Sequence, residues 1–163
     1  MNGFKNTALV IANGEFPYHK SALSPLKQNW KIICIDGATD KLKVLGKEPD
    51  IVIGDFDSTK IQKTERTNLW IETPNQNKTD LEKTFEWCVK NQIKEIVLLG
   101  AGGQREDHLL GNLFLVSKFY NDLNIEVVTN YSKIICVSGS KVIKAQPGQN
   151  ISIIASEVVD NIK

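Results

Sequence analysis

Three aspartates stand directly after short β-branched runs: Asp36 after Lys31–Ile35, and Asp55 and Asp57 after Ile51–Ile53. A fourth, Asp80, opens a helical pattern just past Thr73-Pro74, and Gly100-Ala101-Gly102-Gly103 with Arg105 and Asp107 follows a further apolar run, Lys94–Leu99. In an open parallel sheet, ligands sit outside the carboxyl ends of the strands, so these positions could converge on one edge. Carboxylates gathered there would repel one another unless a cation joined them. Asp residues with room for water and phosphate oxygens suit Mg²⁺. Mg²⁺ bridges polyphosphate oxygens and offsets charge that develops during transfer. A glycine-rich turn entering a helix offers backbone N–H groups to a phosphate, and Arg105 adds a rigid positive fork. The chemistry implied is transfer of a phosphorus-containing group.

Taken singly, each residue has a plainer explanation. Asp36-Gly37 suits a turn, and Asp55 and Asp57 suit turn or cap positions. Asp80, Arg105 and Asp107 are ordinary charges for a helix's first turn. His108 suits a structural histidine. The set, rather than any one member, carries the argument.

The elements that must position this set alternate. Apolar runs at Thr7–Ala12, Lys31–Ile35, Ile51–Ile53, Leu69–Glu72, Lys94–Leu99 and Asn124–Thr129 read as strands. Between them, Ala38–Leu45 reads as a helix and Lys60–Asn68 as a weak, polar one. Leu81, Phe85, Cys88 and Val89 share one helical face, opened by a Thr79/Glu82 capping box. Glu106 to Tyr120 is a further helix, with Leu109, Leu110, Leu113, Phe114 and Ser117 expected along its inner side. Alternation of this kind predicts an α/β fold, an open, mostly parallel sheet with helices on both faces. Beyond Asn130 the pattern changes. Ile134–Val137, Lys141–Ala145, Ile151–Ala155 and Val158–Ile162 read as short antiparallel strands, the start of a small β-sandwich domain. The expected organisation is an α/β domain over 1–130 and a β domain over 131–163, incomplete at its C-terminal end.

Composition sets bounds on function. The chain has 163 residues, 41% hydrophobic and 24% charged, an ordinary globular balance. A net charge of +1 provides no general attraction to nucleic acid or to an acidic membrane surface. No apolar run approaches the roughly 20 residues needed to span a bilayer. Cys34, Cys88 and Cys136 are far apart and set among apolar neighbours, the pattern of reduced core thiols rather than a Zn site. A cytoplasmic location is expected. No Gly-x-x-x-x-Gly-Lys-Ser/Thr is present, which excludes a P-loop.

Several blocks together resemble the thiamine pyrophosphokinase family. They are Asn13-Gly14-Glu15, Asp36-Gly37-Ala38, Pro49-Asp50 through Gly54-Asp55-Phe56-Asp57-Ser58, Asn75-Gln76-Asn77-Lys78-Thr79-Asp80, and Gly103-Gln104-Arg105-Glu106-Asp107-His108 with Gly111-Asn112. The resemblance runs from about Ala8 to about Ala155. It implies transfer of a pyrophosphoryl group from ATP to thiamine, giving thiamine diphosphate and AMP, by a homodimer. It implies Asp55, Asp57 and Asp80 as the Mg²⁺- and phosphate-holding catalytic residues, supported by Asp36. It implies Arg105, Asp107, His108 and Asn112, with Asn13, at the ATP site, and Gln76 near thiamine. Members of that family usually continue with a Gly-Leu-x-Tyr-like segment and a late Ser-Asn element, which this sequence does not contain.

Two other readings stand beside it. A haloacid-dehalogenase-type phosphatase would use Asp55 as nucleophile and Asp57 as general acid, in the Asp-x-Asp-x-Thr shape of Asp55–Thr59. That motif ordinarily follows the first strand, and here two strands precede it. The other reading is a nucleotide-binding module without catalysis.

Overall fold

The computed structural model describes residues 6–57, 69–103 and 105–155. The expected helix Lys60–Asn68 and strand Val158–Ile162 lie outside these residues, as do Ser58, Thr59 and Gln104.

Strand β1 (Thr7–Ile11) occupies the middle of a seven-stranded sheet. Its residues are apolar without alternation because both of its faces are covered. Ala8 and Val10 enter one core cluster, and Leu9 and Ile11 the other. β2 (Lys31–Ile35), β3 (Ile51–Gly54) and β4 (Leu69–Glu72) extend the sheet to one side, all parallel. β5 (Glu95–Leu99) and β6 (Asn124–Val128) extend it to the other, also parallel. The strand order is β4-β3-β2-β1-β5-β6-β7. The chain therefore reverses its direction of travel between β1 and β5. A reversal of this kind is where ligands enter folds of this type, at the carboxyl ends of the strands.

Helix α1 (Ala38–Val44) buries Ala38 and Leu42 on the side of Leu9 and Ile11. Helix α2 (Asp80–Lys90) covers the opposite face with Leu81, Phe85 and Cys88. Its N-cap is the expected one, since the Glu82 N–H donates to Thr79 Oγ1 at 3.2 Å. Helix α3 (Glu106–Lys118) also lies on that face, and the Phe85 and Phe119 rings meet edge-on at 5.5 Å.

The rotation of α3 differs from the sequence expectation. Val116 is buried and Leu109 and Leu113 are half-buried, whereas Leu110 and Phe114 are 57% and 65% exposed and Ser117 is exposed. Leu109/Leu113/Val116 and Leu110/Phe114/Ser117 both obey helical spacing, so periodicity alone cannot choose between them. Two tertiary contacts make the choice. Asn112 Nδ2 donates to the Ala101 carbonyl at 2.6 Å, and Phe119 and Leu123 are buried just beyond the helix.

Strand β7 (Lys133–Ile135) pairs antiparallel with β6, Val127 opposite Ile134, so the run expected to begin a separate β domain at Ile134–Val137 instead extends the edge of the main sheet. The strands expected at Lys141–Ala145 and Ile151–Ala155 are not formed. Val142 and Ile154 are 95% and 88% exposed. Alternating apolar residues become a strand only beside a ladder partner, and these segments have none among the described residues.

Candidate active site

The sharpest feature of the C-terminal edge is the turn after β3. Phe56 has φ 67°, a left-handed conformation that a bulky L-residue rarely adopts and that costs on the order of 1–3 kcal/mol. Its ring is held edge-on against Trp70 of β4, centroids 5.0 Å apart. Between them, the ring contact and the backbone reversal set the two flanking carboxylates, Asp55 and Asp57, beside Asp36 at the end of β2. One carboxylate oxygen from each of the three lies within 4.8 Å of the others. Asp36 is buried, Asp55 half-buried and Asp57 exposed, so the group opens toward solvent.

Close backbone approach makes this possible. A Cβ at Gly54 would stand 2.8 Å from Asp36 Cβ, so only glycine lets β3 end alongside that side chain. The neighbouring crevice has the same requirement. A Cβ at Gly14 would meet the Gly100 and Gly102 carbonyls at 2.4 and 2.5 Å. Instead the Gly14 and Glu15 N–H groups donate to Gly100 O and Gly102 O at 2.9 and 2.6 Å, closing the β1 loop onto the glycine-rich turn after β5. The carbonyls of that turn are thus committed to holding the crevice together.

Gln76, on the loop between β4 and α2, donates from Nε2 to Asp55 Oδ2 at 3.3 Å. This hydrogen bond holds the Asp55 carboxyl below the usual carboxylate range, and the Lys83 ammonium acts in the same direction. Asp80 is not one of the three grouped carboxylates. Its Oδ1 pairs with Lys83 Nζ at 2.9 Å, and the same ammonium donates to the Thr73 carbonyl at 2.9 Å. The Lys83 side chain is only 7% exposed, so this pair ties the first turn of α2 to the end of β4.

The remaining expected residues sit on the β5–α3 side. Arg105 donates from Nε and Nη2 to the two carboxylate oxygens of Asp107. Both side chains are 63% exposed, and their pairing raises the Arg105 pKa and lowers that of Asp107. His108 is exposed. Asn112 is occupied by the Ala101 carbonyl. Asn13 lies against Gly37, where a Cβ would stand 2.5 Å from Asn13 Nδ2. Asp50, part of one of the motif blocks, belongs to the opposite edge of the sheet, where its Oδ2 accepts from the Ile32 N–H at 2.7 Å.

Two cations were not singled out by the sequence. Lys83 carries a legible signal, standing three residues after Asp80 on a helix face. Lys41 carries none. Its Nζ donates to the Asn13 and Gly14 carbonyls at 2.6 and 2.7 Å, contacts that depend on how α1 packs beside the β1 loop.

The grouped carboxylates fit Mg²⁺: three hard oxygen donors lie close enough to share one ion, with the open side left for water and phosphate oxygens. Among the described residues, no helix is long and apolar enough to cross a membrane.

The family model described as "Thiamin pyrophosphokinase, catalytic domain" matches residues 23–129. The chain is 30% identical over 96 residues to thiamin pyrophosphokinase 1 of Caenorhabditis elegans, a match covering 53% of this chain and 40% of that protein. It is 33% identical over 91 residues to thiamine pyrophosphokinase of Bacillus subtilis, covering 53% of this chain and 42% of the relative. The chain thus spans well under half the length of these two curated relatives. Its fold is similar to that of a thiamin pyrophosphokinase family protein of Enterococcus faecalis, with TM-score 0.69 and 25% identity over 87% of this chain and 70% of that one. The Bacillus subtilis enzyme's crystal structure gives TM-score 0.61 and 26% identity, over 75% of this chain and 60% of that one.

Proposed function

The chain belongs to the thiamin pyrophosphokinase family, and from that membership we propose that it moves the pyrophosphoryl group of ATP to thiamine, releasing AMP. The observation that carries this reading is the meeting of Asp36, Asp55 and Asp57 at the carboxyl ends of β2 and β3. A three-carboxylate group beside a glycine-lined crevice is what a metal–polyphosphate complex requires.

In this reading Asp36, Asp55 and Asp57 hold Mg²⁺, with Asp80 as the further carboxylate approaching from α2. When bound, the ion offsets negative charge on the transferring phosphoryl oxygens. The Gln76 hydrogen bond keeps Asp55 ionised, and Asp55 or Asp57 accepts the thiamine hydroxyl proton. As that proton moves to the carboxylate, the hydroxyl oxygen forms a bond to the β-phosphorus. The bond from the β-phosphorus to the oxygen bridging it to the α-phosphorus breaks, and AMP leaves with the electron pair. Gln76 faces the acceptor side. Arg105, Asp107, His108, Asn112 and Asn13 belong to the nucleotide side.

The proposal extends to organisation. Residues 1–130 act as the ATP-binding catalytic unit, and residues 131–163 contribute to a β domain that shapes the thiamine side within a cytoplasmic homodimer. A phosphatase of the haloacid-dehalogenase type is not favoured, because Asp55 follows the third strand of the chain rather than the first.

The test is incubation of the purified chain with ATP, Mg²⁺ and thiamine, with products identified by mass spectrometry. Thiamine diphosphate and AMP are expected. ADP with thiamine monophosphate, or phosphate released without thiamine, would overturn the reading. One observation favours a second reading, nucleotide binding without transfer: residues 137–155 carry no strand or helix. Its signature is Mg²⁺-dependent ATP binding with no AMP release.

A further inference from the structure

The cation expected to face phosphate from the sequence, Arg105, is bound to Asp107, and the buried cation Lys83 is bound to Asp80. Each therefore presents a largely neutralised pair. Lys41 differs from both. Its two acceptors, Asn13 O and Gly14 O, are neutral carbonyls, and among the described residues no carboxylate pairs with it. Partial burial lowers its pKa.

The position of Lys41 gives this meaning. It projects from α1, and helical side chains lean back toward the helix N-terminus, here toward the carboxyl edge of the sheet. The carbonyls it reaches belong to the β1 loop that the Gly100 and Gly102 carbonyls clamp. That loop lies at the crevice between β1 and β5. It also borders the acidic group, since Asn13 packs on Gly37, the residue after Asp36. An ammonium has three N–H donors. Two are fixed by carbonyls, which aim the head group and leave a donor and the full positive charge for an external anion.

We propose that Lys41 is a polyphosphate-binding residue, contacting phosphate oxygens of the nucleotide from the β1 side while the acidic group holds them through the metal. This rests on the ATP-dependent reading above and assigns to Lys41 the role expected of Arg105. A charge-assisted hydrogen bond to phosphate is the type of contact involved.

The experiment measures binding of Mg²⁺–ATP, Mg²⁺–tripolyphosphate and adenosine to the wild-type chain, Lys41→Gln and Lys41→Arg. Lys41→Gln should weaken ATP and tripolyphosphate about tenfold or more while leaving adenosine unchanged. Lys41→Arg should restore most of that loss. Equal losses for adenosine and ATP, or no loss for either, would overturn the assignment. An independent measurement needs no variant. The Lys41 ammonium resonance of the wild-type chain should shift on adding Mg²⁺–tripolyphosphate and not on adding adenosine, and its failure to respond to tripolyphosphate would also overturn the assignment. If the wild-type chain does not bind Mg²⁺–ATP at all, the ATP-dependent reading falls, and the inference with it. If it binds and the variants are indifferent, only the inference falls.

Discussion

Gln76 Nε2 donates to Asp55 Oδ2 across 3.3 Å, joining the loop before α2 to the acidic turn after β3. This bond gives Asp55 a depressed pKa relative to its ordinary value of 3.8. A depressed carboxylate pKa contributes stability that is present above the unfolded pKa and lost as pH falls through the folded one. Gln76→Leu should therefore move the Asp55 titration upward, toward 3.8, and shift the loss of metal binding in acid to higher pH. An NMR titration of the Asp55 carboxyl checks it, and an unchanged midpoint would refute the role given to the bond.

Asp57→Asn removes one of the three grouped carboxylates while keeping the size of the side chain. Turnover in the presence of Mg²⁺ should fall by about a hundredfold or more, the lower range for loss of a general base. Chelation of the metal should abolish it in the wild-type chain. Near-normal activity of Asp57→Asn at saturating Mg²⁺ would remove Asp57 from the metal group.

Lys83 is buried against Asp80 and Thr73 O. Lys83→Met keeps most of the aliphatic stem and deletes the head group. It leaves a buried carbonyl without its donor, while the Asp80 side chain, 26% exposed, can still recruit water. Destabilisation of about 1–3 kcal/mol is expected. Urea unfolding measures it, and a change below about 0.5 kcal/mol would show that the pair contributes little.

Burial pushes the thiols of Cys34 and Cys88 up to about 12. A thiol whose folded pKa is raised contributes stability below the unfolded pKa and loses it as pH rises toward the folded one. Stability should therefore decline from about pH 8.5 upward. At neutral pH, Cys34 and Cys88 should react with alkylating reagents only on unfolding, and the half-buried Cys136 sooner. Mass spectrometry of a timed alkylation ranks the three, and rapid modification of Cys34 would contradict the packing around it.

Much of this architecture was legible along the chain. Thr7–Ile11, Lys31–Ile35 and Ile51–Gly54 are too uniformly apolar for a half-exposed sheet, and Thr79 with Glu82 marks the start of α2. Asp36, Asp55, Asp57 and Asp80 could be named together because parallel strands put their carboxyl ends on one edge, but that Asp80 pairs with Lys83 instead of joining the other three was not legible. Other features depended on contacts between distant segments. Leu109/Leu113/Val116 and Leu110/Phe114/Ser117 are equivalent by spacing, and only the Asn112–Ala101 bond and the burial of Phe119 and Leu123 choose between them. Lys141–Ala145 and Ile151–Ala155 have the alternation of strands without a ladder partner among the described residues. The burial of Lys83 and the carbonyl contacts of Lys41 are likewise tertiary, whereas Arg105 meets Asp107 two residues along the chain. The sequence by itself determined that acidic residues gather at one edge, because continuous apolar runs alternating with helical patterns specify a parallel sheet whose strand ends lie together. The tertiary structure decided that Asp36, Asp55 and Asp57 meet while Asp80 stays with Lys83, and it set Lys41 on the β1-loop carbonyls, because which groups meet at an edge depends on how α1 and α2 pack against the strands.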